Sequence, residues 1–150
     1  MIAPALDKAE RSLIAETWAF RAHAERSATL RFERLALELR QTAASPVVIE
    51  LAETAIEDEV RHAGLCDRVA QSYGGEGPDH SCALTAPAPL GPPGLSLEDR
   101  LLFEVMAFCC FTETLNTAML VETLKSVQEP KIRATIQEIL RDEVQHSRMG

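Results

Sequence analysis

Along four stretches of this 150-residue chain apolar residues recur at steps of three and four, and each run is interrupted by a glutamate in phase with its neighbours. The second stretch shows it most fully, with Val48, Ala52, Ala55, Glu59, His62, Cys66, Val69 and Tyr73 on one stripe. The last gives Ile132, Ile136, Ile139, Glu143 and His146, and the third gives Leu102, Met106, Cys110, Glu113, Thr117, Leu120 and Leu124. Trp18, Ala22, Glu25, Ala28, Phe32, Leu35 and Leu39 form the first. A period of 3.6 at all four places predicts four helices, each with a carboxylate in its core stripe.

Local punctuation sets their limits. Asp7 with Glu10 forms a capping box opening a helix to about Gln41, long enough that its first turns are expected to overhang or break near Ser12. Ser45 as N-cap and Pro46 at the first helical position open a second over 46–73, closed by Gly74 and Gly75. A Gly- and Pro-rich crossover over about 74–95, with Pro78, Pro87, Pro89, Pro92 and Pro93, shows no periodicity. Ser96 with Asp99 opens a third helix to about Gln128, and Pro130 marks the first turn of a fourth. Two short links and one long one predict an all-α, antiparallel four-helix bundle over 1–150, a single domain of two hairpins joined by the crossover.

Composition supports helices and narrows the partners. Hydrophobic residues make up 46% of the chain, but with five Phe, Trp18 and Tyr73 the core rests on aliphatic side chains. A net charge of -8 argues against nucleic acid or an anionic membrane as a general partner. The start Met1-Ile2-Ala3-Pro4 lacks a basic region followed by a long apolar run, and no apolar stretch approaches the ~20 residues of a membrane span, so a soluble cytoplasmic protein is expected. Cys66, Cys82, Cys109 and Cys110 lack Cys-x-x-Cys spacing and read as reduced thiols.

The chemistry lies in two copies of Glu-x-x-His, Glu59 with His62 and Glu143 with His146. Three residues apart, each pair projects from one helix face. Glu25 stands 34 residues before Glu59, and Glu113 stands 30 before Glu143, a near-repeat. Glu25 is preferred to Glu16, which falls off its stripe, and to Glu33, only 26 residues before Glu59. Four carboxylates buried together without compensation would each cost several kcal/mol. Two divalent cations would cancel those charges and take the two imidazoles as further ligands. Glu25, Glu59, His62, Glu113, Glu143 and His146 are therefore the candidate ligands, a set suited to two iron ions, or to manganese or a mixed iron and manganese pair. Behind them, Asp142 is expected to accept from His62 and Asp58 from His146, the alternative being that both are exposed helix surface. Cys110 and Thr117, one turn on either side of Glu113, either fill core space as small residues or line a cavity for oxygen.

These residues carry a resemblance. Glu25-Arg26-Ser27-Ala28 leading to Phe32, Asp58-Glu59-Val60-Arg61-His62-Ala63 with Leu65-Cys66 and Tyr73-Gly74-Gly75, Cys110-Phe111-Thr112-Glu113-Thr114-Leu115, and Asp142-Glu143-Val144-Gln145-His146 together resemble the ferritin-like superfamily of di-iron carboxylate proteins. The likeness is greatest to a group of bacterial ferritin-like domain proteins. It spans most of residues 18–147 and implies the same six ligands. Members of that group usually carry His where this chain has Arg26, and continue the fourth helix further. The resemblance implies an oxidoreductase that activates oxygen or peroxide at two iron ions for a small substrate, served by an electron donor. Iron handling of the ferroxidase or storage type is the alternative, as is a metal-stabilised scaffold without turnover. The fifth helix of cage-forming ferritins and the paired Cys-x-x-Cys of rubredoxin-like modules are absent from the sequence. A homodimer is expected, its second copy covering apolar surface near Leu13, Ile14 and Trp18, although a chain stopping four residues past His146 also leaves a longer parent open.

Overall fold

The Asp7 carboxylate accepts a hydrogen bond from the Glu10 N–H at 2.8 Å while Glu10 accepts from the Asp7 N–H at 2.8 Å, and this capping box starts helix α1, Lys8–Gln41. The helix runs unbroken past Ser12. In this computed structural model, which describes residues 6–77, 85 and 87–146, every regular element is helical. Helix α2 is Pro46–Ser72, with Ser45 at the N-cap position but its hydroxyl uninvolved in capping. Ser96 accepts from the Asp99 N–H at 3.1 Å and opens helix α3, Leu97–Ser126. Helix α4 is Pro130–His146. Pro78 and Cys82 of the crossover, Met1–Pro4 and Gly150 lie outside the described residues.

The chain places its helices through two apolar clusters. Trp18 and Ala22 near the start of α1 pack with Cys66 and Val69 near the end of α2, together with Leu120 of α3 and Ile136 of α4. Phe32, Leu35 and Leu39 from the other half of α1 pack with Ala52 and Ala55 of α2 and Phe108 of α3. Neighbours α1 and α2 therefore run antiparallel. The same holds for α2 and α4, since Lys131 reaches the Arg68 carbonyl and Asp142 reaches His62. The glutamates lie between the two clusters, where all four helices contribute buried side chains.

Three stripes emerge in the predicted phase, and the third does not. Leu102 and Met106 are 63% and 46% exposed, whereas Leu101, Glu104 and Phe108 are buried. The cause is a π-helical segment, Val105–Thr112, within α3. There the Glu113 N–H donates to the Phe108 carbonyl five residues back. Each such bond encloses one more residue than an α turn, and the segment rotates the following face by on the order of 100°. A strict 3.6 period read backwards from Glu113 consequently selects the wrong residues. The surface near the start of α1 also differs from expectation: Trp18 is 6% exposed and belongs to the core, and Ile14 packs against the same cluster. Contrary to the expectation from uninterrupted apolar runs, helix α3, 30 residues long and interrupted by Glu104 and Glu113, is long and apolar enough by length and composition to cross a bilayer.

A buried ion network anchors the crossover. Glu104, 1% exposed, pairs with Arg31, with Arg34 at 2.8 Å, and accepts from the Leu90 N–H at 3.2 Å. Arg34 also donates to the Pro87 carbonyl. One carboxylate thus holds α1, α3 and the end of the crossover together. Replacing Glu104 with Ala would leave two guanidinium groups facing a desolvated gap, a loss of about 3–5 kcal/mol. A urea titration of Glu104→Ala should show that drop, and an unchanged midpoint would remove Glu104 from the anchoring role.

Candidate metal centre

Each Glu-x-x-His pair sits on the inward face of its helix because its neighbours at three and four residues are small or aliphatic. Ala55 and Cys66 flank the α2 pair, and Ile139 precedes the α4 pair, all fully buried. Glu59, His62, Glu143 and His146 are 0–2% exposed, and Glu25 and Glu113 are 4% and 3% exposed. All six candidate ligands reach one region. One group of four comprises Glu25, Glu59, His62 and Glu143, and a second comprises Glu59, Glu113, Glu143 and His146. Within each, the donor atoms lie within 4.8 Å of one another. Glu59 and Glu143 are common to both, and would contribute to either position if two cations were held there.

Both imidazoles point the same nitrogen inward. His146 Nδ1 lies 3.0 Å from Glu59 Oε1 and 3.5 Å from Glu143 Oε2, and His62 Nδ1 lies 3.8 Å from Glu59 and 3.7 Å from Glu143. Their outer nitrogens meet carboxylates from the opposite helix. His62 Nε2 is 3.0 Å from Asp142 Oδ2, and His146 Nε2 is 3.3 Å from Asp58 Oδ2. An ionised carboxylate only accepts, so Nε2 carries the proton and Nδ1 is the atom available to a metal. Arg61 joins the two aspartates, 2.8 Å from Asp58 and 2.5 Å from Asp142. Phe32 meets His146 edge-on at 5.3 Å and packs at 4.9 Å against Phe108.

Whether this donor set fits a metal can be judged from what its atoms lack. Both carboxylate oxygens of Glu59, Oε2 of Glu143, and Nδ1 of His62 and of His146 are buried without a hydrogen-bond partner. Buried polar atoms are nearly always satisfied, and these five converge on one another. A cation bound among them would satisfy all five, so the residues fit the group.

Without a metal, protons take over that role. Burial, then contact with Glu143, pushes the Glu113 carboxyl up to about 10. Burial and the neighbouring Glu59 charge push Glu25 up to about 8, opposed by Arg21. Burial alone would lower His146, but the carboxylates of Glu143 and Glu59 outweigh it and raise the imidazole to about 11. Burial would raise Glu59, yet the adjacent His146 and His62 imidazoles prevail and lower it to about 2.

Several contributors escape a reading of the stripes. Arg21 donates to Glu25 at 3.0 Å and to the Asn116 amide oxygen at 3.2 Å, and the Asn116 amide donates to Glu143 at 3.3 Å. Both residues follow ligands at helical spacing, Arg21 four before Glu25 and Asn116 three after Glu113, which is the signal that could have found them. Cys110 lies elsewhere than expected. The π segment turns its thiol towards Met106 on the outer surface, Sγ to Sδ 4.0 Å, and it does not line the centre. Cys109 is the buried neighbour, its thiol pushed up to about 12 by burial and then by Glu113. Thr117, one helical turn after Glu113, has a buried and unpartnered Oγ1. Cys66, Cys109 and Cys110 are free thiols. No protein-family model, curated protein or solved structure matches the chain.

The protonation pattern fixes a sign. Glu113 and Glu25 hold protons when folded that the unfolded chain releases near 4.5, and His146 holds one released near 6.5. Their stabilisation is complete below those values and is lost as pH rises through about 8, 10 and 11. Glu59 acts oppositely, but its contribution is lost only as pH falls below 4.5 towards about 2. The metal-free protein should therefore lose stability between about pH 5 and about pH 9, read as a falling urea midpoint. A midpoint that climbs across that range would contradict the arrangement.

Proposed function

We propose that this chain is a ferritin-like four-helix bundle carrying a dinuclear metal-carboxylate centre, and that it works as an oxidoreductase activating oxygen or peroxide. The observation that carries the reading is the pair of ligand groups sharing Glu59 and Glu143, with five of their buried donor atoms unpartnered. Carboxylate oxygens with one imidazole per group suit iron or manganese, and two iron ions are the proposed occupants. Bound there, they would supply one-electron chemistry towards oxygen or peroxide.

The chain's own residues hold the ligands for that task. Asp58 and Asp142 keep each imidazole tautomer with Nδ1 inward, Arg61 restrains both aspartates, and Asn116 steadies Glu143. Burial of the six ligands excludes bulk water and favours an oxidant as small as oxygen or peroxide. Repeated turnover would require an external electron donor, and the organic substrate would be small.

Anaerobic loading with ferrous iron followed by metal counting and mixing with oxygen tests the reading. Two irons per chain and a change in the visible spectrum on oxygen addition are expected. Glu59→Ala and Glu143→Ala, which remove a shared ligand, should lose both ions, whereas Glu25→Ala and Glu113→Ala should each weaken one position and spare the other. Asp142→Asn should lower metal affinity by roughly 10–100-fold. Failure of the wild-type chain to retain iron or manganese would end the metal reading. Stable loading with no oxygen response would leave the ions a structural role.

A further inference from the structure

Helix α3 carries an apolar face that no other described element covers. Leu102, Phe103, Met106, Phe111, Leu115 and Met119 are 63%, 41%, 46%, 70%, 63% and 59% exposed. Four of them step by four residues, Leu102 to Met106 and Phe111 to Leu115, with Met119 following. The one five-residue step, Met106 to Phe111, falls inside the π segment, so the register shift that brings Glu113 inward also joins the outer residues into one ridge. The ridge is free of charge along its length: Glu104 and Glu113 both face the interior. Charges appear only at its ends, Glu98, Asp99 and Arg100 at one and Glu122 and Lys125 at the other. The large exposed apolar residues within α1 and α2, namely Leu13, Phe20, Leu37, Val47 and Val60, are fewer per helix and stand at least seven residues apart.

We infer that this ridge is the contact face of a homodimer in which the α3 helices of two copies pack antiparallel about a two-fold axis beside Cys110 and Phe111. Three observations favour a second copy. Scaled by their exposed fractions, the six side chains offer roughly 700 Å², close to the ~800 Å² per partner of a stable interface. The ridge is centred on its own midpoint, with an apolar middle and polar ends, so a two-fold operation lays it on itself. That operation brings Glu122 and Lys125 of each copy towards Glu98, Asp99 and Arg100 of the other, so that two ends each carrying both signs of charge meet around the apolar middle. The arrangement places the pairing on α3, away from the start of α1, where Trp18 is already covered.

Sedimentation equilibrium of the full chain tests this directly. The expected mass is twice 16.5 kDa. Phe111→Glu with Leu115→Glu should return it to 16.5 kDa with the helical circular dichroism retained, since both side chains are outward. Leu13→Glu with Leu37→Glu on α1, also exposed, should leave the dimer intact. In a Cys82→Ser background, a short bis-maleimide should join two chains through Cys110, because Cys66 and Cys109 are buried. A monomeric wild-type chain, a dimer indifferent to the α3 changes, or a wild-type chain that partitions onto neutral lipid vesicles as a monomer would each overturn the inference.

Discussion

Four carboxylates in a desolvated interior are the constraint around which this chain is organised. Glu25, Glu59, Glu113 and Glu143 converge from four helices, and each would be unstable there as an isolated anion. The same set is stable when its charges are matched by protons on Glu25, Glu113 and His146, or by cations taking the place of those protons. The choice between the two is a competition for the same lone pairs, in which metal binding must release protons. A hydrophobic core of this size does not require such groups. Replacing them by aliphatic side chains of similar volume is the more economical way to stabilise helices, so their presence speaks for a task beyond folding.

The supporting residues make sense as guards of that geometry. An imidazole held only by its metal would rotate, but Asp58 and Asp142 fix both rings across the α2 and α4 interface, and Arg61 locks the aspartates to each other. Two short motifs thereby become one unit. On the other side, Phe32 packs on His146 and on Phe108, and the Arg31 guanidinium lies 5.6 Å from the Phe108 ring centre. Arg31 is also a partner of Glu104, so the anchoring of the crossover and the placement of His146 share a continuous packed path.

Periodicity made most of this legible. On α1, α2 and α4 the ideal 3.6 repeat persists from end to end, and the residues on those stripes are buried or half-buried together. The paired Asp and His contacts across α2 and α4 also follow from spacing, because antiparallel helices with matching motifs bring each residue before the Glu against the opposite His. Helix α3 resisted because its repeat changes within the helix. Leu101 and Phe108 are as apolar as Leu102 and Met106, so hydrophobicity cannot tell the inner row from the outer one. Only the hydrogen-bond register at Phe108 and Glu113 decides, and that register is set by tertiary packing. Glu104 was illegible for a related reason, since its partners Arg31 and Arg34 lie some 70 residues away, at 73 for Arg31.

The two ligand groups, alike in sequence, are unequal in their surroundings. Arg21 places a cation against Glu25, and burial raises that carboxyl only to about 8, whereas the positive group opposing the rise at Glu113 is the His146 imidazole, itself a candidate ligand, and that carboxyl rises to about 10. Near Glu25 the guanidinium already supplies part of the positive charge that a metal would bring, and it occupies the Oε1 lone pair facing it. Near Glu113 that compensation is left to a proton or a cation. The two helix pairs, each with one Glu and one Glu-x-x-His, thus differ by one residue outside those motifs. The side with the greater unmet demand for positive charge is the one built on the π-helical turn, where the backbone itself was reshaped to bring a carboxylate inward.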